Sequence, residues 1–191
     1  MTSTRPLRGR CPGVASLALA VILVGAPAIA AQNGDDVAPD VAVKAAFLYN
    51  FAKFVEWPAL PAGVPIVVCL VGDAGIAGAL VETVRGQSIS GHSLDILVLQ
   101  DSARWRACHL LFIAAAEARR SVPGLAEIKA LPVLTVSDGK GFSQGGGIIE
   151  FYVEDGRMRF AINVDAAEHS RLRLSSRLLR LAKIVRNVDV Q

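Results

Sequence analysis

Four short apolar segments constrain the fold of this chain more than any other feature. They are PIVVCLVG (65–72), SLDILVLQ (93–100), CHLLFIA (108–114) and LPVLTVSD (131–138). Each contains a continuous apolar run with β-branched residues, which is the pattern of a strand buried on both faces. Because helical or turn-like segments separate them, they predict a largely parallel sheet with helices on its two faces.

The remaining segments extend this prediction. Residues 73–86 and both sides of Pro123 have helical character, and residues 101–107 predict a helical turn. Asp155-Gly156 lies between two alternating segments and predicts a hairpin turn. Residues 174–188 carry an apolar stripe of helical period, formed by Leu174, Leu178, Leu181, Ala182 and Val185. We therefore predict a three-layer α/β domain whose mixed, mostly parallel sheet is flanked by helices, ending in an antiparallel hairpin and a C-terminal helix.

Residues 44–58, KAAFLYNFAKFVEWP, are predicted as an amphipathic helix that ends at Pro58. Phe47, Phe51, Phe54 and Val55 fall on one face of it, and these residues are expected in the core. On the other face Tyr49, Lys53 and Trp57 recur at i, i+4 and i+8, so that Lys53 can lie between two aromatic rings. The alternative is that this face of the helix is exposed to solvent and that Trp57 folds under the next loop.

The N-terminal segment has the composition of a secretory signal peptide. Three arginines precede an apolar run at residues 13–25, and small residues follow at Ala28 and Ala30. We predict a signal peptide over residues 1–31, a linker over 32–40 and one domain over 41–190, with an uncleaved anchor as the alternative. Removing the three arginines leaves 17 basic residues against 17 acidic ones, and this balance gives no indication of nucleic-acid binding.

Two cysteines, Cys69 and Cys108, lie beyond this segment. In an oxidising compartment such a pair most simply forms a disulfide, and the alternative is two separate buried thiols.

Motifs for catalysis are present only in part. GFSQG (141–145) matches the G-x-S-x-G pattern around Ser143, but a glycine run and a strand follow it instead of a helix. GDAGIAG (72–78) has the glycine spacing G-x-x-G-x-x-G rather than that of a dinucleotide fingerprint, and tight packing of helix on strand explains it better. His92, His109 and His169 lack metal-ligand spacing. We predict no catalytic residues, no metal and no cofactor.

The last predicted helix carries a basic stripe at every third residue: Arg177, Arg180, Lys183 and Arg186, with Arg171 and Arg173 just upstream. Such a stripe can contact an acidic partner or anionic lipid heads, and the alternative is a solvated helix face.

Five segments together resemble the YfiR family of small exported proteins: VKAAFLYNFAKFVEWP, CHLLFIA, PVLTVSD, GGIIEFYVEDGRMRFAINVDAA and LRLSSRLLRLAKIV. The resemblance extends from about residue 43 to residue 185 and implies an α/β domain that forms homodimers and has no catalytic activity. It places Cys69 and Cys108 where the family's disulfide-forming pair is expected. Some relatives carry a second cysteine pair near the glycine-rich loop, and this sequence has none there.

The resemblance also implies a role. The protein would be a periplasmic repressor that binds the periplasmic sensor region of an inner-membrane diguanylate cyclase and lowers cyclic-di-GMP synthesis. An outer-membrane, peptidoglycan-binding lipoprotein would sequester the repressor. The alternative is a small-ligand binding module. The predicted partner or ligand contacts are Tyr49, Asn50, Lys53, Trp57, Arg173 and Arg177.

Overall fold

A computed structural model of the chain describes residues 37–58 and 60–187. The helices are α1 (Val37–Lys53), α2 (Ala74–Val84), α3 (Val122–Ile128), α4 (Val164–His169) and α5 (Ser176–Leu179), with 3₁₀ turns at Trp105–Ala107 and Ala115–Glu117. The strands are β1 (Val55–Glu56), β2 (Ile66–Val71), β3 (Leu94–Leu99), β4 (Leu110–Ile113), β5 (Leu134–Ser137), β6 (Ile149–Glu154), β7 (Arg157–Asn163), β8 (Arg173–Leu174) and β9 (Lys183–Val185). Within these residues no helix combines the length and the apolar character needed to cross a bilayer.

The central sheet has seven strands in the order β3-β2-β4-β5-β6-β7-β9. Strands β2 to β6 run parallel to one another, β7 pairs antiparallel with β6, and β9 pairs parallel with β7. The predicted α/β class with a mixed, mostly parallel sheet is therefore confirmed. The predicted hairpin turn is confirmed as well, since Asp155 and Gly156 both have positive φ, as a two-residue hairpin loop requires.

Strands β2, β4 and β5 are buried along nearly their whole length, as their continuous apolar runs predict. Strand β3 differs, because it lies at an edge of the sheet and is only partly buried, with Val98 48% exposed. A continuous apolar run therefore does not by itself distinguish an edge strand from a central one.

The core lies in two layers, one on each face of the sheet. On the first face α1 and α2 cover the sheet. Phe51 of α1 stacks on Phe151 of the hairpin, with ring centroids 5.6 Å apart, and meets Phe160 edge-on at 5.0 Å. On the second face Trp105 and α3 cover Cys69, Leu111 and neighbouring residues. The three predicted layers are thus present.

The disulfide between Cys69 and Cys108 is formed and lies in the second core layer. It joins the middle of β2 to the residue that follows the 3₁₀ turn before β4, with Cα atoms 5.9 Å apart. Since β2 and β4 are neighbours, the bond cross-links the sheet itself.

The first helix corrects the prediction at both ends. It begins at Val37, inside the segment predicted as a linker, and it ends at Lys53 instead of continuing to Pro58. Val55 and Glu56 pair with β8 instead, because the following Pro58 disfavours a helical residue before it and the strand partner satisfies the backbone. The predicted signal peptide lies outside the described residues.

The C-terminal segment is mostly not helical. Of its described residues only Ser176–Leu179 form a helix. Ser175 caps the N-terminus of this helix, because its Oγ accepts the Leu178 N–H. Lys183–Val185 then pair with the free edge of β7. Because β9 pairs with the backbone hydrogen-bonding groups of that edge, tertiary pairing overrides the helical period of the apolar stripe. Leu181 is left 68% exposed as a result.

Loss of the disulfide should destabilise the domain without abolishing its fold. The bond spans 39 residues of sequence, and a closed loop of about 40 residues contributes roughly 4 kcal/mol in the chain-entropy model. We expect the double variant Cys69→Ala/Cys108→Ala to lose up to about 4 kcal/mol of unfolding free energy in urea titrations, with little change in slope. Wild-type protein under reductant is the matched control, and an unchanged urea midpoint in both samples would contradict the expectation.

Candidate functional site: a basic surface beside the first helix

The predicted contact residues lie along one surface, which we call the ribbon surface: Tyr49, Asn50, Lys53, Trp57, Arg173 and Arg177. Its base is the two-stranded ribbon of β1 and β8, in which Val55 pairs with Leu174 and Glu56 with Arg173. The ribbon continues beyond β8, since Ser175 donates its N–H to the Phe54 carbonyl. This pairing brings the arginines of the C-terminal segment beside the end of α1.

A cavity of about 370 Å³ opens at one end of the ribbon surface. Asn50 and Lys53 of α1 line it together with Phe54, the residue after the helix, and Arg177 and Leu181 line it from the α5 side. The Arg177 guanidinium lies 5.6 Å from the Phe54 ring centroid, and Lys53 Nζ lies 5.7 Å from that of Tyr49. The cavity therefore combines exposed cations with aromatic faces, a combination suited to acidic or aromatic groups.

A second cavity of about 310 Å³ lies at the other end, lined by Glu56, Trp57, Pro58, Arg171 and Arg173. Arg171 holds a positive φ of 55° and donates to the Ala130 carbonyl. Two cations and one carboxylate line this cavity, so its lining is net basic.

Trp57 occupies a different place from the predicted one. It lies beyond the end of α1, so Lys53 contacts the Tyr49 ring but does not lie between two aromatic rings. The Trp57 indole N–H donates to the His109 carbonyl, and the two rings meet edge-on at 5.9 Å. Trp57 therefore fixes the ribbon surface to the central sheet.

The predicted basic stripe is wrong as a single helix face. Arg177 lies in α5, whereas Lys183 lies in β9, 5.9 Å from the Tyr152 ring centroid. Arg186 pairs with Asp165 at 3.1 Å. The structure thus brings Arg173 and Arg177 to the ribbon surface and takes Lys183 and Arg186 elsewhere.

His109 has a structural role that its isolated position in the sequence conceals. Its ring Nδ1 accepts the Val67 N–H at 3.0 Å, while the backbone N–H of His109 donates to the Val67 carbonyl. Its carbonyl accepts from both Trp57 and Leu134. His109 therefore joins β2, β4, β5 and the ribbon surface at the amino edge of the sheet. A signal for this role lies in its position, between Cys108 and the buried β4 run.

The state of His109 depends on pH. Burial, with a smaller contribution from the charge of His92, lowers the pKa of His109 below its ordinary 6.5. Neutral His109 is also the form that the hydrogen bond requires, because Nδ1 must keep a free lone pair to accept the Val67 N–H.

At the carboxyl edge of the sheet, where parallel α/β sheets usually bind ligands, α1 is bonded to the residue that follows β5. Lys44 of α1 forms ion pairs with Asp40 at 2.7 Å and with Asp138, which follows β5, at 2.9 Å. Burial lowers the pKa of Lys44, but the two carboxylates outweigh it and raise the pKa above 10.5. Asp73 caps α2 by accepting the Ile76 N–H, so a carboxylate occupies the place where a phosphate would bind.

The glycines of GDAGIAG differ in their surroundings. Gly72 has a φ of 87°, and a side chain there would collide with Glu117, whereas Gly78 faces open space. Close packing therefore accounts for Gly72 but not for Gly78.

Ser143, the candidate nucleophile, is fully buried and serves the structure. Glu150 accepts the Ser143 hydroxyl at 2.7 Å together with the N–H groups of Ser143 and Gly141. Asn163 adds a hydrogen bond to the Ser143 carbonyl at 2.7 Å. These contacts hold the glycine-rich loop, which has no cysteine pair, against β6 and β7. Across the described ranges no cluster of three or more His, Cys, Asp or Glu residues has metal-binding geometry.

The fold and this surface define a small, disulfide-linked α/β domain whose predicted contact residues gather at one flank. A family model described as YfiR/HmsC-like matches residues 41–183. The chain therefore belongs to the YfiR/HmsC-like family.

Comparison with solved structures returned a conserved domain protein from Vibrio cholerae O1 biovar El Tor, with a TM-score of 0.46 and 12% sequence identity. The match covers 75% of this chain, which spans 59% of the length of that protein's chain. No curated protein matches the chain.

Acidification should destabilise the fold through His109. Below about pH 6.5 the unfolded chain takes up a proton at this residue before the folded chain does, so the unfolding free energy falls until the pH reaches the lowered pKa of the folded state. We expect His109→Asn, which places an amide oxygen near the Nδ1 position, to reduce the fall in Tm between about pH 7.5 and pH 5. The exposed His169→Asn should keep the wild-type slope, and an equally steep fall in His109→Asn would contradict this role.

Proposed function

We propose that this protein is an exported regulatory protein without catalytic activity. It binds the periplasmic sensor region of a membrane-bound diguanylate cyclase, restrains the cyclase and so lowers cyclic-di-GMP signalling. Membership of the YfiR/HmsC-like family supports a regulatory role. The observation that carries the binding mode is the ribbon surface, where exposed Lys53, Arg173 and Arg177 lie beside Phe54 and Trp57.

The ribbon surface has the composition of a protein-binding surface. Arginine and tryptophan are the residue types that most often contribute large binding energies at interfaces. Its cations favour a partner face that carries carboxylates, because complementary charges speed association and select among partners. The hydrogen bond from Trp57 to the His109 carbonyl holds the surface in place, so little ordering is required on binding.

Restraint of a cyclase requires only differential binding. If the ribbon surface binds the inactive arrangement of the sensor region more tightly than the active one, the equilibrium shifts toward the inactive enzyme. By linkage, a signal that activates the cyclase weakens the binding of the regulator by the same factor by which the regulator opposes that activation.

Location and assembly belong to the same proposal. The protein acts in the periplasm after removal of residues 1–31, and its disulfide fits an oxidising compartment. It acts as a homodimer, and an outer-membrane, peptidoglycan-binding lipoprotein sequesters it to release the cyclase.

Charge reversal on the ribbon surface should abolish restraint. We expect deletion of the gene to raise cyclic-di-GMP and biofilm, and wild-type protein to restore both. Arg173→Glu/Arg177→Glu should bind the sensor region at least about tenfold more weakly and fail to restore them.

Arg157→Glu, an exposed reversal on the hairpin, is the matched control and should restore restraint. Unchanged cyclic-di-GMP after deletion, in a host with an intact neighbouring cyclase, would reject the proposal. Full restoration by the double reversal would reject the ribbon surface as the binding site.

A second candidate function is a periplasmic module that binds a small ligand, and the two cavities of the ribbon surface favour it. A ligand that binds only the folded form raises Tm, so a thermal-shift screen of small acidic and aromatic solutes tests it. We expect a hit in the cavity beside Phe54 to lose its effect in Arg177→Glu, and a hit in the cavity beside Trp57 to lose it in Arg173→Glu. A screen in which every shift survives both variants would contradict this function.

A further inference from the structure

A cavity of about 390 Å³ lies on the opposite face of the sheet from α1, between α3 and the glycine-rich loop, residues 139–147. We call it the α3 cavity. Val122, Leu125 and Ile128 line it from α3, Phe142 lines it from the loop, and Ile148 lines it from the position just before β6. Its volume falls within the range of about 300–1,000 Å³ that is typical of small-molecule sites, and its side-chain walls are largely apolar.

The loop wall of the α3 cavity is held in a defined conformation. Glu150, itself only 7% exposed, accepts hydrogen bonds from the Gly141 N–H, the Ser143 N–H and the Ser143 hydroxyl. A side chain at Gly147 would collide with the Phe142 ring, so the glycine lets that ring pack on the backbone as part of the wall. The cavity is therefore preformed, which lowers the entropic cost of binding.

The charged groups that line the α3 cavity are all basic. They are Arg119, Lys129 and Lys140, all exposed, and no aspartate or glutamate lines the cavity. Among the ion pairs of the described residues none involves these three cations, whereas the adjacent Arg120 pairs with Glu117. The Thr135 hydroxyl, also in the wall, accepts the Ile148 N–H and keeps its own proton to donate.

An apolar chamber with unpaired cations around it fits a particular kind of ligand. The ligand's apolar body gains from burial against α3, and its negative group gains from charge-assisted hydrogen bonds to lysine or arginine. A neutral apolar molecule would use only the first contribution, and a small inorganic anion only the second.

We propose that the α3 cavity binds a small amphiphilic anion of the alkyl carboxylate class, with the chain against α3 and the carboxylate among Arg119, Lys129 and Lys140. This site goes beyond the proposed function, because it shares no residue with the ribbon surface. The same chemistry is offered by a free fatty acid and by an acyl lipid within a bilayer, and the dimensions of the cavity fit the free, monomeric form.

Calorimetric titration of the purified protein with octanoate, decanoate and dodecanoate tests the proposal. We expect affinity to rise about fourfold for each methylene group that enters the cavity and to stop rising once the cavity is full. The uncharged matched probe, decanol, should bind at least about tenfold more weakly than decanoate.

Variants locate the site. Lys129→Glu and Lys140→Glu should each weaken decanoate binding about tenfold, and Lys129→Gln should weaken it less. Ala126→Trp, at an exposed position in the lining, should fill the cavity and prevent binding. Arg157→Glu should bind as wild type does. Circular dichroism checks that each variant is folded, and the two milder changes, Lys129→Gln and Arg157→Glu, keep the comparison valid if a reversal unfolds the domain.

Three results would overturn the proposal. One is equal affinity for decanol and decanoate, and another is decanoate binding that neither charge reversal nor Ala126→Trp alters. The third is a protein that binds no monomeric carboxylate but floats with phosphatidylglycerol vesicles and loses this flotation in Lys129→Glu. That result would assign the surface to a membrane. None of these results bears on the cyclase, which the ribbon-surface variants test separately.

Discussion

The junction between β2 and the start of β4 is the interaction on which the rest of the structure depends. Two adjacent residues, Cys108 and His109, bond to β2 in different ways: one through sulfur to Cys69 and the other through hydrogen bonds to both backbone groups of Val67. The carbonyl of His109 then reaches β5 and Trp57. Within these few residues the chain fixes the register of the parallel strands, attaches the ribbon of β1 and β8 to the sheet, and covers the second face of the sheet.

Much of this fold could be predicted from the sequence. The central strands were predictable because burial on both faces demands continuous apolar runs, and β2, β4 and β5 show them. The hairpin was predictable because Asp155-Gly156 has specific turn chemistry. The disulfide followed from having only Cys69 and Cys108 beyond the N-terminal segment.

The misses share one physical cause, which is pairing between segments distant in sequence. Residues 174–185 have a helical period, yet Leu174 pairs with β1 as part of β8, and Lys183–Val185 pair with β7 as β9. The same pairing ends α1 early and moves Trp57 off the helix. Single-segment patterns contain no information about such partners, so the predicted contact residues lie in a different arrangement from the single helix faces expected, and the role of His109 was not foreseen.

The two faces of the sheet thus offer different chemistry. The ribbon surface carries cations beside aromatic rings, whereas the α3 cavity has largely apolar walls with cations around it. Ser143 and Glu150, which resemble parts of a reactive site by residue type, serve to hold the wall of that cavity.

The ion pairs of Lys44 have a consequence for how such a domain can diversify. Enzymes built on parallel sheets acquire new activities by exchanging the loops at their strand tips. Here the first helix is bonded to one of those tips through Asp138. A loop exchanged after β5 would therefore have to preserve a carboxylate at this position or release the helix from the sheet.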